Sequence, residues 1–263
     1  MSIIIHQINA FSEKAFGGNP AATCLLEDAP ETDWMQAVAR EMNLSETAFV
    51  VRREDDDWSL RWFTPGAEVD LCGHATLASA HFLWDLALIA PDAPVRFHTR
   101  SGLLTCVRED EWIAMDFPAL PAEAMESPNG LAEALGASPI AVWRSTWDIL
   151  AEFATAQEVQ DLNPDFQALL PFAARGVLVT APGNGPYDFV SRFFAPAHRI
   201  FEDPVTGSTH CILAPFWGDR LGKSQMLALQ ASSRGGILKV GTNGNRVTLS
   251  GKAVTIMTGT LLC

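Results

Sequence analysis

The sequence contains Arg61-Trp62-Phe63-Thr64-Pro65 and, 131 residues later, the similar pentad Arg192-Phe193-Phe194-Ala195-Pro196. The first pentad is followed by Gly73-His74 and the second by Gly207-Ser208, and a long apolar run comes after each pair. In both copies, an extended aromatic segment with a proline leads to a small-residue turn, which is typical of a strand followed by a buried helix. Self-similarity at a fixed offset indicates a duplicated unit, so we predict two lobes of similar architecture.

The length of 263 residues is sufficient for two medium-sized domains. Each half contains several predicted strands and one helix that is apolar on all sides, over residues 75–89 and 209–221, and such a helix is buried all round. The proline-rich residues 118–128 interrupt the pattern, so we place the boundary between an N-terminal lobe (1–117) and a C-terminal lobe (118–251) there. These elements predict a mixed α/β fold of the α+β class.

The composition excludes several kinds of partner. Lys and Arg number 18 against 31 Asp and Glu, for a net charge of -13, and no basic tract interrupts the acidic excess. This argues against binding to nucleic acid or to an anionic membrane. The first apolar run, Met1 to Ile5, is too short for a signal peptide, and no stretch approaches the roughly 18 apolar residues of a membrane helix.

The cysteines and histidines indicate neither a disulfide framework nor a metal site. The five cysteines form an odd set without a close pair, so neither a set of disulfides nor a C-x-x-C motif can be drawn from them. The six histidines show no H-E-x-x-H or carboxylate spacing, so we expect no metal. We expect the protein to reside in a reducing cytoplasm.

Few side chains are selected as functional by the pattern alone. The turns at Gly73-His74 and Gly207-Ser208 would each present a helix N-terminus, which favours an anion, although most such turns only change the direction of the chain. His74 could bind substrate or cap its helix, and Asp203 could orient an amine or belong to a turn before Pro204. Glu46 lies in a polar island between an apolar-faced helix and a strand, where a carboxylate can serve as acid or base, but most glutamates in such a place are on the surface.

Five motifs that span both halves resemble the PhzF-like isomerases of phenazine biosynthesis. They are Phe16-Gly17-Gly18-Asn19-Pro20-Ala21-Ala22, Asn43-Leu44-Ser45-Glu46-Thr47-Ala48-Phe49, Arg61-Trp62-Phe63-Thr64-Pro65, Asp70-Leu71-Cys72-Gly73-His74-Ala75-Thr76 and Glu202-Asp203-Pro204-Val205-Thr206-Gly207-Ser208. The resemblance implies the diaminopimelate-epimerase-like fold, in which two pseudo-symmetric lobes each wrap a mixed sheet around a central helix. It also implies that the last strand, about 252–263, joins the N-terminal lobe, and that the protein is a homodimer without a cofactor.

The resemblance also assigns roles to residues. Glu46 is similar to the carboxylate that takes a proton from one carbon of a small carboxylate-bearing substrate and returns it to another. His74 and Asp203 correspond to polar partners that hold the substrate and assist the transfer. Gly73, Gly207 and Ser208 correspond to the helix-end groups that bind the substrate carboxylate or its enolate, and Asn19 corresponds to a residue of the same site.

Cys72 leaves a second interpretation open. The epimerase branch of the superfamily uses two facing cysteines, one before each central helix, whereas this chain has Cys72 before Gly73 but Thr206 before Gly207. A racemase would therefore need Cys72 together with a different base. Cys211, about one turn inside the second helix, is expected in the core. A third possibility is a small-molecule binding protein without catalytic activity.

Overall fold

The computed structural model describes residues 3–172 and 175–262, and these residues form a large mixed β-sheet with few helices. The chain divides into two compact units, one made of residues up to Asp116 together with those from Ser250, and the other of Phe117–Leu249. The sheet contains both parallel and antiparallel pairs, which confirms the predicted mixed α/β class. No helix formed by the described residues is both long and apolar enough to cross a membrane.

The strands and helices of the first unit alternate along the chain. They are β1 (Ile3–Ala10), β2 (Asn19–Leu26), α1 (Thr32–Met42), β3 (Glu46–Arg52), β4 (Trp58–Phe63), β5 (Glu68–Val69), α2 (Gly73–Asp85), β6 (Val95–Thr99), β7 (Gly102–Glu109) and β8 (Trp112–Pro118), which reaches the unit boundary.

The second unit follows, and the last strand returns to the first unit. The elements are β9 (Glu123–Met125), α3 (Leu131–Leu135), β10 (Ala141–Arg144), β11 (Asp148–Glu152), α4 (Ala156–Asp161), α5 (Phe166–Leu169), β12 (Gly176–Pro182), β13 (Phe189–Ala195), β14 (Ile200–Asp203), α6 (Gly207–Leu221), β15 (Gln225–Gln230), β16 (Gly236–Asn243), β17 (Arg246–Gly251) and β18 (Ala253–Leu261).

The two units have the same strand pairings. In the first, β2 pairs antiparallel with β1 and parallel with β3, β3 pairs antiparallel with β4, and β4 pairs antiparallel with β5 and parallel with β6. In the second, β10 to β15 repeat this order, with β11 parallel to β12 and β13 parallel to β15. The last strand, β18, pairs with β1 as β9 pairs with β10. The internal repeat inferred from the pentads is therefore present in the topology.

The repeated arginines make the same contacts in both units. Nε of Arg61 donates to Glu68 at 2.7 Å, and its guanidinium lies 5.2 Å from the ring centre of Phe63. Nε of Arg192 donates to Glu202 at 2.7 Å, with the guanidinium 5.0 Å from the ring of Phe194. The arginine and its glutamate are seven residues apart in the first unit and ten in the second. The three additional residues of the second copy therefore lie between Arg192 and Glu202.

Both central helices begin two residues before the predicted starts at 75 and 209, at Gly73 and Gly207, and α2 ends earlier than expected. The prediction placed its end at residue 89, whereas the helix ends at Asp85. Ala87 adopts a left-handed conformation with φ of 53°, and the N–H of Leu88 donates to the carbonyl of Leu83. This is a Schellman-type ending, and the sequence conceals it because the left-handed residue is alanine rather than glycine.

The helices α1 and α5 begin in different ways. Thr32 is the first helical residue of α1, and its hydroxyl accepts a hydrogen bond from Arg61 at 3.0 Å. The cap of α5 is Asp165, because the Asp165 carboxylate accepts from the backbone N–H groups of Gln167 and Ala168. The side chain that reaches the free N–H groups decided the start of this helix.

Candidate active site

The topology of the first unit brings four of the predicted site residues together. Glu46 is the first residue of β3, which runs parallel to β2, and Asn19 is the first residue of β2. The parallel pairing therefore places Asn19 and Glu46 at the same end of the sheet. Gly73 opens α2 and His74 follows, after Cys72 in an extended conformation.

The side chains of Glu46 and His74 form a close, buried pair. Nε2 of His74 lies 2.9 Å from Oε2 of Glu46, with the two side chains 7% and 13% exposed. The alignment departs from that of a regular hydrogen bond, so the contact has the character of an ion pair. An ion pair removed from water is screened little, so the Glu46 carboxylate favours the charged form of His74.

Asn19 fixes the orientation of the imidazole. The Ser45 hydroxyl donates to Oδ1 of Asn19 at 2.9 Å, which turns Nδ2 of the amide towards Nδ1 of His74, 3.3 Å away. An amide N–H can only donate, so Nδ1 accepts and the proton of neutral His74 sits on Nε2, facing Glu46. In the doubly protonated form, Nδ1 has the sulfur of Cys72 at 3.5 Å as an acceptor.

The charge of His74 follows from its neighbours. Burial by itself would lower the pKa of His74, but its neighbours Cys72 and Glu46 raise it well above the ordinary value of 6.5. Burial, together with the nearby Glu46 carboxylate, raises the pKa of the Cys72 thiol. Because Cys72 is then a neutral thiol at neutral pH, we attribute the raised pKa of His74 to the carboxylate of Glu46.

A glycine is required in the loop that carries Asn19. Gly18 has a φ of +68°, and a Cβ atom built on it would lie 2.2 Å from the carbonyl oxygen of Ala10. No other residue type satisfies both the left-handed backbone and the close approach. Gly18 therefore allows the loop to deliver Asn19 to His74.

The second unit holds the other three predicted residues at the start of α6. Asp203 accepts a hydrogen bond from the Thr206 hydroxyl, and Gln230 joins the same turn by donating to the carbonyl of Asp203 and accepting from the N–H of Thr206, both at 2.8 Å. Asp203 thus takes part in the turn that leads to Gly207. Ser208 is the second residue of α6, and its Oγ accepts from Nη1 of Arg175 at 2.7 Å.

Sequence reasoning missed three residues that contact predicted ones, Ser45, Arg175 and Gln230, and a fourth, Asp148, that contacts Arg175. The sequence position of Ser45 could have indicated its place in the site, because Ser45 lies beside Glu46 in the same polar segment. In the sequence, Arg175, Asp148 and Gln230 are 33, 60 and 22 residues away from Ser208, and no spacing rule connects them to it. Cys211 is buried, 4% exposed, which confirms its predicted place in the core.

Among the described residues, two groups of donor atoms could coordinate a metal ion, and one of them lies in this site. Donor atoms of Glu46, Cys72 and His74 lie within 4.8 Å of one another. A metal would require the Cys72 thiolate, which burial disfavours, and would compete with the contact between Asn19 and His74. A metal-free site stays our prediction.

Comparison with known proteins identifies relatives along the whole chain. The profile of the family described as phenazine biosynthesis-like protein matches residues 8–259. An uncharacterized isomerase of Halalkalibacterium halodurans is 49% identical over 264 residues, covering 100% of this chain and 99% of that protein. An uncharacterized isomerase of Pseudomonas aeruginosa is 49% identical over 263 residues, covering 99% of each. The crystal structure of a PhzF-family protein from Enterococcus faecalis superposes with a TM-score of 0.96 at 40% identity, covering 100% of both chains.

Proposed function

The chain belongs to the phenazine biosynthesis-like protein family, and from this premise we propose that it is an isomerase in which Glu46 moves a proton within a small carboxylate-bearing substrate. The observation that carries the proposal is the buried pair of Glu46 and His74, in which the two side chains are held 2.9 Å apart. A carboxylate in such a place can take a proton from carbon and return it, which is general acid–base catalysis.

The remaining groups support the charge that develops in this reaction. Removing a proton beside a carboxylate leaves an enolate-like anion, which preorganised donors stabilise by about 2.7 to 4 kcal/mol each. His74 would supply such a donor, and the free N–H groups at the start of α2 would supply others. We propose that Asp203, Gly207 and Ser208 bind the substrate and that Asn19 holds His74 in place.

Proton exchange tests the proposal directly. Small amino, hydroxy and cyclic carboxylic acids are incubated with the protein in deuterated buffer, and deuterium incorporation is measured by mass spectrometry. We expect Glu46→Gln to reduce incorporation at least about 100-fold with the fold intact. Glu54→Gln, at an exposed glutamate, is the matched control and should exchange like the wild type. Undiminished exchange in Glu46→Gln would exclude the assigned role.

A racemase that uses Cys72 is the second candidate, because the Cys72 sulfur lies 3.5 Å from Nδ1 of His74. The raised pKa of the Cys72 thiol argues against this candidate, because the thiolate is the reactive form. If alkylation abolishes exchange and Cys72→Ala reproduces the loss, this candidate replaces the first. An acid that raises Tm but shows no exchange with the wild type would instead support a non-catalytic binding protein.

We propose that the protein works without a cofactor, as a cytoplasmic homodimer whose ligand is a small carboxylate. Light scattering tests the oligomeric state, and a monomer mass would contradict it.

A further inference from the structure

The internal repeat places Arg175 and Ser208 in the second unit where Ser45 and His74 lie in the first. In the pairing of β3 with β4, Thr47 is opposite Phe63, and in that of β12 with β13, Val177 is opposite Phe194. Ser45 comes two residues before Thr47, as Arg175 comes two residues before Val177. His74 and Ser208 are each the second residue of the central helix. Ser208 is contacted by the residue just before its strand, whereas His74 is contacted by Glu46, one position later in the repeat.

Arg175 is held firmly by its surroundings. Its Nε donates to Oδ1 of Asp148 at 2.8 Å and its Nη2 donates to Oδ2, and the Asp148 side chain is fully buried. The rings of Trp147 and Phe193 lie 5.5 and 5.3 Å from the guanidinium carbon. A guanidinium that donates hydrogen bonds from two nitrogens and lies near two aromatic rings has little freedom to rotate, so the direction of Nη1 is fixed.

This arrangement determines the role that the Ser208 hydroxyl can take. Nη1 of Arg175 donates to Oγ of Ser208 at 2.7 Å, and a guanidinium cannot accept. Oγ must therefore accept from Arg175, and its own proton is left for donation. Among the residues that the structure describes, Ser208 makes no hydrogen bond through this proton. The hydroxyl becomes a donor of fixed direction at the start of α6.

We propose that Arg175, fixed by Asp148, is a positioning residue that orients Ser208 to donate a hydrogen bond to the substrate carboxylate. The proposal rests on the proposed function in one respect, namely that Ser208 contacts a carboxylate. It adds the two residues that give Ser208 its direction, and it explains why a buried aspartate lies beside a half-buried arginine. In the first unit the corresponding helix residue, His74, contacts the carboxylate of Glu46, so the two copies of the repeat would have diverged into a proton-transfer pair and a carboxylate-binding pair.

Acetate, the simplest carboxylate, is the probe. It is titrated into ¹⁵N-labelled full-length protein, and the amide signals of Gly207 and Ser208 are followed by NMR. The variants are Arg175→Met, Arg175→Lys, Asp148→Asn, Ser208→Ala and the double variant Arg175→Met/Ser208→Ala. Arg220→Met is the matched control, because Arg220 lies near the other end of α6 and also contacts aromatic rings and a carboxylate.

We expect saturable shifts in the wild type and in Arg220→Met, and an acetate affinity about tenfold lower in Ser208→Ala and in Arg175→Met, the loss of one hydrogen bond to a charged group. Arg175→Lys and Asp148→Asn should fall between, since lysine keeps the charge but cannot bridge two partners as a fork. In the double variant, Arg175→Met should add little to Ser208→Ala, because Arg175 acts through Ser208.

Equal acetate affinity in the wild type and Arg175→Met would overturn the proposal, as would additive losses in the double variant or the absence of a saturable shift in the wild type. If Arg175→Met does not fold, Arg175→Lys and Asp148→Asn decide the question by the same criterion. The titration measures binding and involves no proton transfer. Failure of the deuterium experiment therefore leaves this result intact, and the two proposals can fail separately.

Discussion

Nε2 of His74 lies 2.9 Å from Oε2 of Glu46, and this contact couples the charge of the helix-start histidine to the strand-start carboxylate. Asn19 and Cys72 occupy the other side of the imidazole, near Nδ1. The histidine is thus enclosed between a carboxylate and two groups of the same unit, and the coupling has measurable consequences.

The first prediction concerns the titration of His74. The pKa of His74 is raised well above 6.5, against the effect of burial, by its negatively charged surroundings. Glu46→Gln removes the carboxylate, so we expect the pKa of His74 to fall in that variant. The C–H signals of the His74 ring, followed by NMR across pH, measure both values. The same pKa in both proteins would show that Glu46 is not the cause.

Protein stability should depend on this group in a defined direction. A histidine whose folded pKa is raised stabilises the fold fully below its unfolded pKa of about 6.5, and this contribution is lost as pH rises through the folded pKa. His74→Gln should lack that loss. Urea unfolding of both proteins at several pH values tests this, and parallel curves above pH 6.5 would contradict it.

The second prediction concerns the loop that presents Asn19. Gly18→Ala would place a Cβ atom 2.2 Å from the carbonyl oxygen of Ala10, so the loop must move and displace Asn19. Gly244→Ala is the matched control, because Gly244 has a φ of +58° but nothing within 4 Å of the added atom. We expect the control to lose about 1 to 2 kcal/mol from the left-handed conformation alone.

Gly18→Ala should lose more stability than the control, and it should also lower the exchange rate with an active acid. Chemical denaturation and deuterium incorporation measure the two effects. Equal losses in both variants would show that the contact with Ala10 relaxes without cost.

The sequence was informative where one local feature determines the structure. Gly73 and Gly207 mark the starts of the two central helices because each precedes a long apolar run, and the pentads mark the strands before them. Local patterns did not reveal the end of α2 at a left-handed alanine. The contact of Arg175 with Ser208 was also hidden, because it joins residues 33 apart through the sheet. The role of Glu46 was assigned from the resemblance to the PhzF-like isomerases, because spacing alone does not distinguish Glu46 from the other glutamates.

The third prediction concerns a buried hydrogen-bond chain in the second unit. The indole N–H of Trp217 donates to Oγ1 of Thr180 at 2.9 Å, and the same hydroxyl donates to the carbonyl of Val190 at 2.7 Å. Thr180→Val keeps the shape but leaves both partners without the hydroxyl, so we expect a loss of about 1 to 3 kcal/mol. Urea denaturation measures it. Thr180→Ser, which retains the hydroxyl, should lose less, and the reverse order would contradict the interpretation.

The fourth prediction concerns acid sensitivity. Burial lowers the pKa of His210 to about 4, and its Nδ1 lies 2.9 Å from the carbonyl oxygen of Thr206. The folded state therefore holds His210 neutral while the unfolded chain binds a proton near pH 6.5, so stability is full above 6.5 and falls as pH drops towards 4. The loss should approach on the order of 3 kcal/mol at pH 4, from about 1.36 kcal/mol per pH unit.

His210→Gln removes this titration and can still donate to the Thr206 carbonyl. We expect its stability, measured by urea unfolding, to fall less steeply than that of the wild type between pH 6.5 and 4. His198→Gln, at an exposed histidine of the same unit, is the control and should follow the wild type. If His210→Gln and the wild type lose stability in parallel, the acid sensitivity comes from other groups, and His210 is not the residue that limits the fold at low pH.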